Sequence, residues 1–180
     1  MLAAAVTSNC REVHIALPAT DGDVYRQHQL VWEAMRGVAR HGRDFVYAML
    51  SPNVALVRSE RLTRGKVCAF REDKMRVLLA TARQTDRGLV ALGPADATAM
   101  AEDLLARNGI RAAGLQIDGQ DLLQGSKLDR DSGRRHAIRI PVSQLNFKAR
   151  FTNTALALLA AQNGIGRAKR FGCGMLLPAP

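Results

Sequence analysis

Val13, Ile15 and Leu17 alternate with His14 and Ala16, the period of a half-buried strand. Pro18 ends it, and Asp21 or Asp23 is placed to cap a helix that begins near Val24. On that helix Val24, Val31, Met35 and Val38 form one stripe, with Arg26 and Glu33 opposite. Residues 44–50 and 54–58 then read as two strands joined at Ser51-Pro52-Asn53, a hairpin signal. The basic stretch from Arg58 to Lys66 carries no clear helical pattern, and Met75 to Ala82 is the next apolar strand.

The second half repeats this order. Pro94 and Asp96 open a helix that runs through Ala101, Leu104 and Leu105 to Asn108-Gly109, a good C-terminal cap. Ala112 to Ile117 predicts a short strand, and residues 124–135 a polar, charged loop. Ile138 to Phe151 makes one long strand or two short ones broken near Pro141. Thr152 or Asn153 caps a helix over Thr154–Gln162, and a last strand covers Cys173–Leu177. Each half is strand-helix-strand-strand-(helix)-strand, with the second helix of the first half missing or degenerate. The pattern predicts an α+β chain of two tandem ferredoxin-like (RRM-like) domains, residues 1–87 and 88–180. The repetition is one of pattern, since the halves share no strong sequence identity.

Charge adds a partner to this picture. Lys and Arg number 26 against 16 Asp and Glu, a formal net charge of +10, with a pI near 10.5. Both halves share the excess, but residues 132–180 hold eight Lys or Arg and no acid at all. Such a field attracts polyanions, and nucleic acid is the first of these. A membrane surface is disfavoured, because no basic amphipathic helix carries an aromatic face and the longest apolar run, Ala155 to Ala161, is too short to span. Cys10, Cys68 and Cys173 are odd in number and far apart, which argues against a disulfide framework or a zinc site and fits a reducing cytoplasm. The N-terminal MLAAAV reads as a short leader without a basic region.

The acid-free tail ends on Gly164-Ile-Gly-Arg-Ala-Lys-Arg-Phe-Gly-Cys-Gly174. It is no Walker loop, because five residues rather than four separate Gly166 from Gly172 and Cys173 follows; it is no dinucleotide fingerprint, because Lys169 stands where the third glycine belongs. A tight turn is the bland reading. Four glycines (Gly164, Gly166, Gly172, Gly174) interleaved with Arg167, Lys169 and Arg170 favour a phosphate-binding segment. Arg134, Arg135, Arg139, Lys148 and Arg150 form a second basic cluster, suited to fixing an A-form stem through its phosphates. Aromatics are only 4% of the chain, too few for a base-stacking surface.

Three blocks make the chain resemble the CasE-like CRISPR-repeat endoribonucleases of type I-E systems, within the RAMP superfamily. They are Tyr25-Arg-Gln-His28-Gln-Leu-Val-Trp32, Arg43-Asp44-Phe45-Val46-Tyr47 and the glycine segment, in family order; residues 60–150 match by pattern alone. The resemblance implies two ferredoxin-like domains and metal-independent cleavage of precursor CRISPR RNA within the repeat hairpin. It implies no cofactor, and an enzyme that stays on its product beside other Cas subunits of the interference complex. Related proteins also serve type IV systems. By matching position His28 is the catalytic histidine and Tyr25 its neighbour.

Chemistry agrees with that assignment. Tyr25, His28 and Trp32 share one side of a helix. RNA is cut without metal when its own 2′-hydroxyl attacks the adjacent phosphate, and histidine can move either of the two protons involved. A cation from the glycine segment, or Lys148, is placed to stabilise the developing charge. From spacing alone His28 would be a core-edge histidine, since structural histidines outnumber catalytic ones; the family block reverses that preference. His14, His41 and His136 are weaker candidates, and none has a His or Cys at metal-ligand spacing. The rival readings are a non-catalytic hairpin-RNA-binding subunit of the same architecture and a ribosome- or tRNA-associated domain.

Overall fold

The computed structural model describes residues 6–41, 44–86, 88–129 and 131–179; residues 1–5 of the expected leader lie outside them. The chain begins with β1 (Val6–Ala16), α1 (Val24–Met35), β2 (Val46–Ser51), β3 (Val54–Ser59) and β4 (Lys66–Phe70). These strands form an antiparallel sheet in the order β2-β3-β1-β4. Next come β5 (Lys74–Ala80), a small ribbon of β6 (Ala82–Thr85) and β7 (Gly88–Ala91), and α2 (Pro94–Arg107). The chain closes with β8 (Ile110–Leu128), β9 (Arg135–Phe151), α3 (Thr154–Asn163), a 3₁₀ turn at Lys169–Phe171 and β10 (Leu177–Pro178). The second sheet has the order β10-β5-β9-β8.

Both orders are those of a ferredoxin-like βαββαβ unit, and the first unit lacks its second helix as the sequence predicts. The strand allocation differs in one respect. Met75–Ala82, read as the last strand of the first half, starts the second unit as β5, and the fourth strand of the first unit is β4. The chain passes from one sheet to the other over residues 71–73. Lys66-Val-Cys-Ala-Phe70 escaped notice because it sits on a sheet edge, with only Cys68 and Phe70 buried.

Asp23 starts α1. Its Oδ1 accepts from the backbone N–H groups of Tyr25 (2.8 Å) and Arg26 (2.9 Å), replacing bonds that the first helical turn lacks. Val24, Val31 and Met35 are buried as the stripe predicts, whereas Val38 lies past the helix end and is exposed. Val31 and Met35 pack on Phe45, Tyr47, Ala55 and Val57. Removing each such side chain from water contributes roughly 1.5–3 kcal/mol. A second core joins α2 and α3 to the second sheet through Ala101, Leu105, Ala157, Ala160 and Ala161 against Val77, Leu79, Leu145 and Phe147. The alanines let both helices lie close to the strands.

β8 and β9 form one long hairpin, so residues 124–128 and Arg135 belong to strands rather than to the expected loop. Asp129 builds the turn between them, its Oδ1 accepting from Asp131 and Ser132 N–H groups. Pro141 does not break β9; its carbonyl still accepts from Thr81 N–H at 2.9 Å. Of the expected strand Cys173–Leu177 only Leu177 pairs, together with Pro178 as β10. The hairpin also fixes α1. Ser126 N–H donates to Asp23 Oδ2 (3.1 Å), and Gly125 lies so close that a Cβ would meet Asp23 Oδ1 at 2.8 Å.

Candidate active site

α1 carries His28 to the seam between the two units, half-buried. Its ring is 6.4 Å from that of Tyr25 and meets Phe171 edge-on at 6.0 Å, the aromatic residue that ends the 3₁₀ turn. Phe171 is buried with Val24, Ile140, Val142 and Cys173, so one apolar cluster holds α1, β9 and the glycine segment together. Tyr47 Oη donates to the Arg170 carbonyl at 2.8 Å and ties the same turn to β2.

His28 opens onto a cleft of about 1460 Å³ that Arg139, Arg167, Lys169 and Arg170 also line, with His41, Asn163 and Leu89. Among the described residues no carboxylate lines it. Arg170 stacks its guanidinium 4.8 Å from the Phe171 ring centre. Lys169 Nζ donates to the Gly164 carbonyl (3.3 Å), so this lysine also closes the end of α3. Tyr25 lies beside the cleft, in a hollow with Asp23, Arg26, Gln29 and Ser126.

The glycines act differently from the expected backbone cradle. Gly172 N–H donates to Lys169 O and Gly174 N–H to Leu78 O, so neither is free for a ligand. Gly164, Gly172 and Gly174 are buried. A Cβ on Gly172 would press on the Tyr47 ring at 3.3 Å, and one on Gly174 would stand 2.0 Å from the Ile165 carbonyl oxygen. Gly166 is half-buried against Leu104. The glycines fold the segment tightly, and the cations between them meet the cleft. Gly174 also has φ +82°, whereas Gly133 shares a positive φ (+66°) with open space around it. Gly174→Ala therefore costs the clash as well as the roughly 1–3 kcal/mol of backbone strain. In thermal melts it should lower Tm clearly more than Gly133→Ala does; equal shifts would contradict the packing.

The second basic cluster does not converge on His28. Arg139 reaches the cleft, Arg134 and Arg135 are exposed at the hairpin tip, and Lys148 and Arg150 lie at the far end of β9. Lys148 is nine positions along the strand from Arg139, about 30 Å at about 3.3 Å per residue. Lys148 is thus excluded as the cation beside His28, and Arg150 is paired with Glu72 at 3.2 Å. Asn163 joins the site through tertiary contact, with no local sequence signal, and so does His41, which the sequence offers only as a weaker candidate. Among the described residues no group of three or more His, Cys, Asp or Glu side chains is placed to hold a metal ion. None of their helices is long and apolar enough to cross a membrane.

Burial lowers the His28 pKa below the ordinary histidine value, the Arg170 guanidinium lowers it further, and the Arg170 carbonyl opposes them. Its Nδ1 is buried without a hydrogen-bond partner in the protein. The imidazole is neutral at pH 7, ready to accept a proton. A histidine with a depressed folded-state value contributes its full stability above the unfolded value near 6.5, and loses it as pH falls towards the folded one. Wild type should therefore lose Tm relative to His28→Gln between pH 7.5 and about 5.5. A constant difference across that window would contradict the lowered pKa.

Residues 63–180 match the sequence profile of a family described as CRISPR associated protein. No curated protein matches the chain by sequence. Among solved structures, a CRISPR endoribonuclease Cse3 bound to a 19-nucleotide RNA superposes with a TM-score of 0.68 at 19% identity, covering 99% of this chain and 100% of that one. Thermus thermophilus Cse3, bound to an RNA representing a pre-cleavage complex, gives 0.68 at 19% identity, with 95% and 99% covered. A chain of a CRISPR RNA-guided surveillance complex gives 0.54 at 16%, with 92% and 97% covered. These likenesses establish the shared fold.

Proposed function

The chain belongs to the family of CRISPR-associated proteins, and on that footing we propose that it is an endoribonuclease that cuts CRISPR precursor RNA within the repeat hairpin. The observation that carries this reading is the neutral, half-buried His28 in a cleft with four cations and no described carboxylate. The cleft suits a phosphodiester, and His28 suits the proton that must leave the ribose.

In this mechanism the 2′-oxygen attacks the adjacent phosphorus as His28 takes its proton. The bond to the 5′-oxygen breaks, that oxygen takes a proton from water, and the upstream fragment keeps a 2′,3′-cyclic phosphate. Arg170 and Arg167, with Lys169 and Arg139 around them, stabilise the extra charge on the phosphorane oxygens. Tyr25 is a positioning residue that borders His28 on α1. The chemistry calls on no cofactor, since the nucleophile belongs to the substrate. The fold shared with a surveillance-complex chain supports retention of the product beside other Cas subunits.

Incubation of repeat hairpin RNA with the protein in EDTA tests the reading. Cleavage should persist, and a 2′-deoxyribose at the scissile nucleotide should abolish it. Normal cleavage of the deoxy substrate would overturn the mechanism.

A further inference from the structure

The sheet of the second unit has a face that the cleft does not use. Along β5, Met75, Val77 and Leu79 enter the core beneath α2 and α3, so Lys74, Arg76 and Leu78 lie on the opposite face. α1 and the glycine segment cover that face at Leu78. Beyond Leu78 it is open and basic. The register places Arg111 opposite Arg150, Lys148 opposite both Lys74 and Ala113, and Asn146 opposite both Arg76 and Gln116. Two successive rows thus set like charges directly across from each other, an arrangement that destabilises a sheet.

The acids nearby leave much of this charge uncompensated. Glu72 pairs with Arg150, Asp118 accepts from Asn146 Nδ2, and Asp73 Oδ1 accepts from the Lys74 backbone N–H. Arg76 Nε and Asn146 Oδ1 are buried and lack partners, although both sit in the same row. The like-charge rows and the unpartnered Arg76 Nε leave this face with donors that an anionic ligand can fill. Arg76 also lines a groove with Gln144 and Arg139, and Arg139 lines the His28 cleft as well. Asp21, Asp23 and Asp121 line the same groove, so the open face joins the His28 cleft through a stretch of mixed charge, and its basic rows begin at Arg76.

We infer that this open sheet face, centred on Lys74, Arg76, Arg111 and Lys148, is a second binding surface, for the phosphate backbone of single-stranded RNA flanking the processed segment. Its rows hold no aromatic residue, so it grips phosphates without reading bases and binds in a salt-dependent way. The choice of RNA as polyanion rests on the function proposed above. The surface is nevertheless tested without cleavage.

A short unstructured uridine homopolymer serves as probe, with affinity measured by fluorescence anisotropy over a salt series. Lys74→Gln/Arg111→Gln/Lys148→Gln should weaken binding ~10-fold or more and flatten the log–log salt slope by about 2, at about 0.7 per phosphate contact. Lys148→Gln alone should flatten it by about 0.7. The triple variant should melt no lower than wild type at low salt, because it relieves like-charge rows. Unchanged affinity and slope, or no binding by wild type at low salt, would overturn the inference. So would a polyglutamate of matched charge that competes as well as the RNA, which would assign the face to an acidic protein. If cleavage itself is misassigned, the His28 and 2′-deoxy experiments fail and this binding result stands apart.

Discussion

Replacing His28 by alanine slows single-turnover cleavage of a repeat hairpin by ~10² to 10⁴-fold, the usual contribution of a general acid or base. Hairpin affinity should stay close to wild type, because Arg139, Arg167, Lys169 and Arg170 remain in the cleft. The split between rate and affinity separates a catalyst from a binding module. Tyr25→Phe should cost less, since the ring that borders His28 is retained. Rates and dissociation constants measured on the same RNA check both expectations. An unchanged rate for His28→Ala would return this residue to a packing role and favour the non-catalytic subunit.

Arg58→Ala should produce the largest loss of stability. Arg58 is only 1% exposed and pairs with Glu12 Oε1 through Nη2 (2.5 Å) and Nε (2.9 Å). It donates further to the carbonyls of Ala161 (2.6 Å) and Leu176 (3.0 Å), and its guanidinium lies 4.6 Å from the Phe70 ring centre. One side chain on β3 thus ties the first sheet to the end of α3 and to the segment before β10. Removing it strands a carboxylate and two carbonyls, which costs about 3–5 kcal/mol. At roughly 2–4 °C per kcal/mol for a chain of this size, Tm should fall by about 6–20 °C. Arg58→Lys should rescue little, because a single ammonium cannot reproduce the planar fork. A shift within about 2 °C for Arg58→Ala would contradict the account. The pair matters to the site, since Ala161 and Leu176 flank the glycine segment that bears Arg167 and Arg170.

The local part of this architecture was legible in the sequence. Asp23, the Val24–Val31–Met35 stripe and the Pro52-Asn53 turn report on contacts a few residues away, and the structure has them as read. The β8–β9 hairpin was harder. Its outer half is largely exposed, so residues 124–128 lack the apolar alternation that marks a half-buried strand, and backbone pairing alone fixes their register. Arg58 read as the end of a strand and the start of a basic stretch, because nothing near it in sequence reveals the carbonyls of Ala161 and Leu176. The glycine segment was correctly singled out as a special backbone. Whether its glycines faced a ligand or the protein depended on Tyr47, Leu78 and Ile165, which only the fold brings near. The same holds for the separation of Lys148 from Arg139: both are basic residues on β9, and the length of the strand divides them between two surfaces.

The nature of the new RNA ends tests the central claim most directly. Mass analysis of the upstream fragment, cut in EDTA by wild-type protein, distinguishes attack by the 2′-hydroxyl from attack by water. A 2′,3′-cyclic phosphate on that fragment, with a 5′-hydroxyl on the downstream one, is the result predicted by proton transfer at His28. A 3′-hydroxyl upstream and a 5′-phosphate downstream would contradict it.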